Sequence, residues 1–129
     1  MPLRSFVTIA LTLLPLTAFG EASRSSEPMS LTEVEILRSH ISRCWTPPIG
    51  IYGTGNLKVD VVATLDEDGN VLTADVENKK RMMSDRAFRV AAENATRTML
   101  KCSPLPLPRK KYPSWKTLIF TFDPSFLAR

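Results

Sequence analysis

Histidine occurs once in this 129-residue chain, at position 40, and cysteine twice, at positions 44 and 102. General acid–base catalysis needs convergent partners around such a residue. His40 has no nucleophile placed beside it, and it sits one position before Ile41, off the Val34/Leu37/Ile41 stripe, so it is expected to face solvent on a helix. Zinc takes three or four ligands, with Cys or His commonly in close pairs. One histidine and two cysteines nearly sixty residues apart do not supply them. There is no glycine-rich phosphate loop, no continuous basic stripe interleaved with aromatics of the kind that binds nucleic acid, and no apolar run of the about 20 residues that a membrane span requires. These absences leave a binding protein as the expectation, with no catalytic residues, no cofactor, no metal and no nucleic-acid partner.

What is present begins with an export signal. Arg4 gives a positive start, Phe6 to Leu16 an apolar stretch holding Pro15, and Ala18-Phe19-Gly20 a small-residue cleavage site before Glu21. Residues 1–20 are therefore expected to be a signal peptide cleaved near Gly20/Glu21, with the alternative of an uncleaved N-terminal anchor. An even number of cysteines in an exported chain argues for a disulfide between Cys44 and Cys102 over two buried thiols. Such a bridge would stabilise the fold by about 4 kcal/mol through loop closure.

Residues 21–30 are polar and aperiodic, the composition of a disordered leader. From Leu31 an amphipathic helix is expected, with Thr32 and Glu35 as a capping box, Leu31 stapled to Ile36, and Val34, Leu37, Ile41 and Cys44 on one face, ending at Pro47-Pro48. Ile49 to Asn56 reads as a loop. Leu57 to Leu65 then alternates with period two, Asp66 to Asn70 is turn chemistry, and Val71 to Glu77 alternates again with Leu72, Ala74 and Val76 on one side. Asp66, Asp68, Asn70 and Glu77 mimic a calcium loop, but the glycine comes too early and a strand would carry Glu77 about 20 Å away.

Ser84 is expected to cap a second helix carrying Phe88, Ala91, Ala92, Ala95, Met99 and Cys102 on its apolar face. Asn94-Ala95-Thr96 falls inside this helix, which argues against its use as a glycosylation acceptor. A Pro/Leu connection leads to a third strand from Trp115 to Phe122, with Leu118, Phe120 and Phe122 on one face. Trp45, Tyr112 and Trp115 read as core and lid. The net charge of +4 is mild, and its dense runs, Lys79 to Arg81 and Arg109 to Lys111, read as solvated loops, with an acidic partner or anionic polymer as the alternative.

The class is thus α+β, in the order αββαβ, with a three-stranded antiparallel sheet packed against two helices and one disulfide. Three strands cannot close into a barrel, so an edge must be left with unpaired backbone groups able to take a strand from a partner. The candidate edges are Leu118, Ile119, Phe120, Thr121 and Phe122 first and Leu72 to Val76 second.

Cys44-Trp45-Thr46-Pro47-Pro48, Leu57 to Gly69, Ala91-Ala92-x-x-Ala95, Lys101-Cys102-Ser103-Pro104, Tyr112-x-x-Trp115 and Phe122-Asp123-Pro124 resemble the C-terminal periplasmic domain of TolA, with the TonB C-terminal domain more distant. The likeness spans Leu31 to about Pro124, and residues 31–126 are taken as the domain. It implies a periplasmic module of the Tol-Pal envelope system that binds TolB and Pal, and that colicins and filamentous phage coat protein exploit, commonly by strand addition. TolA has an uncleaved anchor and a long helical spacer, whereas here about ten polar residues, reaching at most about 35 Å, separate signal and fold. Partner binding is therefore the expected function, with a membrane-tethered energy transducer as the alternative.

Overall fold

The computed structural model describes residues 25–48 and 56–124. The signal-like segment 1–20, most of the glycine-bearing loop at 49–56 and residues 125–129 lie outside the described residues. Helix α1 runs Leu31–Cys44. Two overlapping S/T-x-x-E frames compete for its start, and the expected Thr32/Glu35 pair is not the one used. Ser30 caps instead: its hydroxyl accepts from the Glu33 N–H at 3.2 Å, and Glu33 accepts from the Ser30 N–H at 2.8 Å. The earlier frame wins because Glu33 also receives Lys111 at 2.6 Å. Leu31 thereby becomes the first helical residue, and the staple to Ile36 does not form, both side chains being exposed.

The Lys111 bond and the capping N–H of Ser30 lower the Glu33 pKa from its ordinary 4.5 to about 2. A depressed carboxylate stabilises the fold fully above the unfolded value and loses that contribution as pH falls through the folded one. Acid unfolding should therefore carry a component between pH 4.5 and about 2. Urea midpoints measured across that range should show a flatter acid limb for Glu33→Gln than for the parent.

Strands β1 (Val59–Leu65) and β2 (Val71–Val76) form an antiparallel hairpin. In its turn Asp66 accepts from the N–H groups of Asp68 and Asn70, each at 2.9 Å, and Asp68 pairs with Arg109 at 2.6 Å. Gly69 has φ +85°, and its carbonyl accepts from the Leu105 N–H at 2.8 Å. A Cβ there would run into the Leu105 carbonyl oxygen. Gly69→Ala is expected to cost about 2 kcal/mol or more, read as a lower denaturant midpoint with an unchanged slope.

The odd-numbered residues of β1, Val59 to Leu65, are all buried, as a central strand with one covered face requires. The expectation for Leu72 fails: it is 61% exposed. A bulge pairs Thr64 with Thr73 but Leu65 with Val71, so Leu72 is skipped and Val71 turns toward the core instead.

The basic run Lys79 to Arg81 lies not in a loop but in a short helix, α2 (Lys79–Ser84), capped by Asn78. The next helix, α3 (Arg86–Lys101), is capped by Asp85 rather than Ser84, through the Phe88 N–H at 3.1 Å. Asp85 pairs backwards with Arg81 at 3.1 Å. The expected apolar face of α3 is the buried one, with Thr98 added. Arg109–Lys111 is a 3-10 turn, and Tyr112–Trp115 a single helical turn, α4. Trp115 thus precedes the third strand instead of opening it. Its ring is buried and its indole N–H donates to Pro108 O at 2.7 Å, while the Tyr112 hydroxyl donates to Leu65 O at 2.8 Å.

Strand β3 (Thr117–Phe122) pairs antiparallel with β1, giving the order β2-β1-β3. The core lies between the sheet and the helices: Leu37 and Ile41 of α1, the buried face of α3, and the covered side of all three strands. Cys44, the last residue of α1, is bonded to Cys102, the C-cap of α3, with Cα atoms 5.7 Å apart. None of the helices among the described residues is long and apolar enough to cross a membrane.

Candidate functional site

The strand order makes β2 and β3 the two edges of the sheet. They are not equivalent. On β2 the Val71 N–H is taken by the Ser103 hydroxyl at 2.8 Å, and the bulge at Leu72 breaks the regular ladder, both of which blunt an edge. On β3 the register runs without a break from Val59↔Phe122 to Thr64↔Thr117, and among the described residues nothing pairs on its outer side.

Antiparallel pairing assigns alternate residues of β3 to the neighbouring strand and to the open side. The Leu65 N–H donates to Lys116 O at 2.9 Å, so the bonded pairs recur every second residue at Ala63↔Leu118, Val61↔Phe120 and Val59↔Phe122. The backbone N–H and C=O groups of Thr117, Ile119 and Thr121 therefore point outward, three donor–acceptor sets spaced as an incoming strand would need them. Their side chains stand on the solvent face of the sheet, with Ile119 58% exposed.

Phe120 and Phe122 point the other way, beneath the edge, where a groove of about 300 Å³ separates β3 from the end of α1. Ile41 and Trp45 form its helix wall, and Arg38 and Asp123 lie at its polar parts. Trp45 meets Phe122 edge-on at 5.3 Å, and Phe122 meets Phe120 at 5.1 Å. Such edge-to-face rings form a continuous apolar floor. Asn94 fixes the Trp45 ring: its Oδ1 accepts from the indole N–H and its Nδ2 donates to Thr46 O, both at 2.9 Å. Nothing in the pattern of α3 announced this role for Asn94, which read only as a discounted glycosylation acceptor. The disulfide lies one residue before Trp45, so the bridge holds the helix wall of the groove against α3.

The five candidate residues Leu118 to Phe122 are thus divided by the pleat: Ile119 and Thr121 present the edge, Phe120 and Phe122 line the groove, and Leu118 packs partly into the core. His40 does not face solvent as expected. It is half-buried, and its Nε2 lies 2.9 Å from Cys102 O. A carbonyl only accepts, so Nε2 carries the proton and donates. The available signal was its spacing, four residues before Cys44, which places the ring on the helix face of the bridge. The sulfurs of Cys44 and Cys102 lie within 4.8 Å of a ring nitrogen of His40, but they are bonded to each other and offer no thiolate.

No family model and no curated protein matches the chain. Among solved structures, the solution NMR structure of TolAIII bound to a peptide derived from the N-terminus of TolB superposes with a TM-score of 0.54 and 17% identity, covering 76% of this chain and 77% of that one. The chain therefore has a TolA C-terminal-like fold.

Proposed function

We propose that this chain is an exported, periplasmic protein-binding module that captures an extended segment of an envelope protein as a fourth strand on β3. The observation that carries the reading is the free edge of β3, where Thr117, Ile119 and Thr121 direct their backbone groups outward above the aromatic groove. Main-chain bonds along such an edge give affinity, and the groove selects side chains. The fold-neighbour TolAIII was solved with a TolB peptide bound, which supports TolB as the first partner to test; Pal as the second partner and a Tol-Pal role in maintaining the envelope are carried by the sequence resemblance alone. In this reading residues 1–20 are removed as a signal, 21–30 are a leader, and 31–126 form the binding domain.

Cross-linking pull-down from intact periplasm tests the binding. TolB or Pal should be recovered with the parent chain, and recovery of neither would reject the assignment. Mass spectrometry of the exported protein tests the rest: a mature N-terminus near Glu21 is expected, whereas retention of residues 1–20 would make the chain a tethered transducer.

A further inference from the structure

We propose that the outward face of α2 and α3 docks the domain on an anionic phospholipid membrane. At 100° per residue, Arg86, Arg89, Arg97 and Lys101 of α3 fall within an arc of about 120°, with Val90 and Leu100 between them. All six are exposed. Lys79 and Lys80 of α2, which packs against α3, are exposed as well, and Glu93 is the only acidic residue in the α3 arc. Among the described residues none of these six cations has an ion-pair partner. The pattern is not a general property of the surface. The three strands contain no Lys or Arg, and Asp60, Asp75 and the adjoining Glu77 are exposed on the sheet side, where the flanking cations are Lys58, paired with Asp123, and Lys116.

The unpaired positive charge is therefore concentrated on α2 and α3, whereas on the open sheet face acids and flanking lysines are mixed. Charge complementarity selects an anionic surface for the helical side, and its shape selects a membrane. The α3 stripe is about 24 Å long and follows the outside of a helix. A plane of headgroups meets its cations along that whole length and accepts exposed apolar tips such as Leu100 and the 85% exposed Met83. Docked this way, the sheet and the β3 edge are left facing water, free for a partner strand.

Vesicle co-sedimentation of the full disulfide-bonded chain tests this. The apolar stretch at 6–16 would bind vesicles of any charge, so the quantity read is the ratio of partitioning onto vesicles with about one third phosphatidylglycerol to that onto pure phosphatidylcholine. The ratio should be about tenfold or more at low salt and collapse at high salt. Arg89→Gln with Arg97→Gln should reduce it about tenfold, whereas Lys110→Gln with Lys116→Gln, which removes the same charge elsewhere, should leave it within about twofold. Circular dichroism should be unchanged in both. A ratio near one, or an equal loss in the two variants, overturns the proposal. So does tight binding of polyglutamate, or self-association at low salt, lost with the Arg89/Arg97 changes while vesicle binding persists; these outcomes identify an acidic protein or a second copy as the occupant.

Discussion

Replacing Cys44 and Cys102 together by alanine is expected to lower the unfolding free energy by about 4 kcal/mol and the melting temperature on the order of 20 °C. The bridge closes a loop with a sequence separation of 58 residues and joins the C-terminal ends of α1 and α3. For a domain of this size that is a large part of a net stability of about 5–15 kcal/mol. Dithiothreitol should produce the same loss in the parent and none in the double variant. The groove should loosen with it, because Trp45 follows Cys44 directly and holds its place through Asn94. A loss under about 1 kcal/mol would mean that packing of Leu37 and Ile41, not the bridge, seats α1 on the core.

The second large effect is on binding. Ile119→Pro should abolish capture of TolB or Pal while leaving the domain folded. The N–H that proline deletes points away from β1, so no bond of the existing sheet is lost, and edge strands tolerate proline where the donor faces solvent. An incoming strand, however, loses one of its three donors and meets the ring in the plane of the ladder. Ala74→Pro makes the equivalent change on β2, whose outward positions follow from the Glu77 N–H bond to Asp60 O at 2.9 Å. It should leave capture intact. The reverse outcome would move the site to β2.

How far the fold could be read in advance depended on which physical signal each element rests on. The faces of β1 and α3 were legible because burial imposes periods of two and 3.6 on long segments. Leu118, Phe120 and Phe122 were legible for the same reason. Leu72 was not, because a bulge is decided by pairing between strands and a one-residue slip reverses every side chain after it. The start of α1 was ambiguous between Ser30 and Thr32, and Lys111, 78 residues from Glu33, tipped the choice. Strand order, likewise, is a long-range fact. The edge was inferable from the number of strands alone, but its outward residues required the register, and the groove required knowing that the end of α1 comes to rest beside β3. His40 and Asn94 show a further limit: a polar residue on a helix reveals its partner only when the neighbouring element is in place.

Hydrogen exchange at the amides of Thr117, Ile119 and Thr121, with and without a peptide from the N-terminus of TolB, tests most directly whether β3 accepts a strand. Protection should rise by about tenfold or more at these three amides and stay constant at Leu72, Ala74 and Val76. Unchanged exchange along β3 at saturating peptide, or protection that rises on β2 instead, would contradict strand addition at this edge.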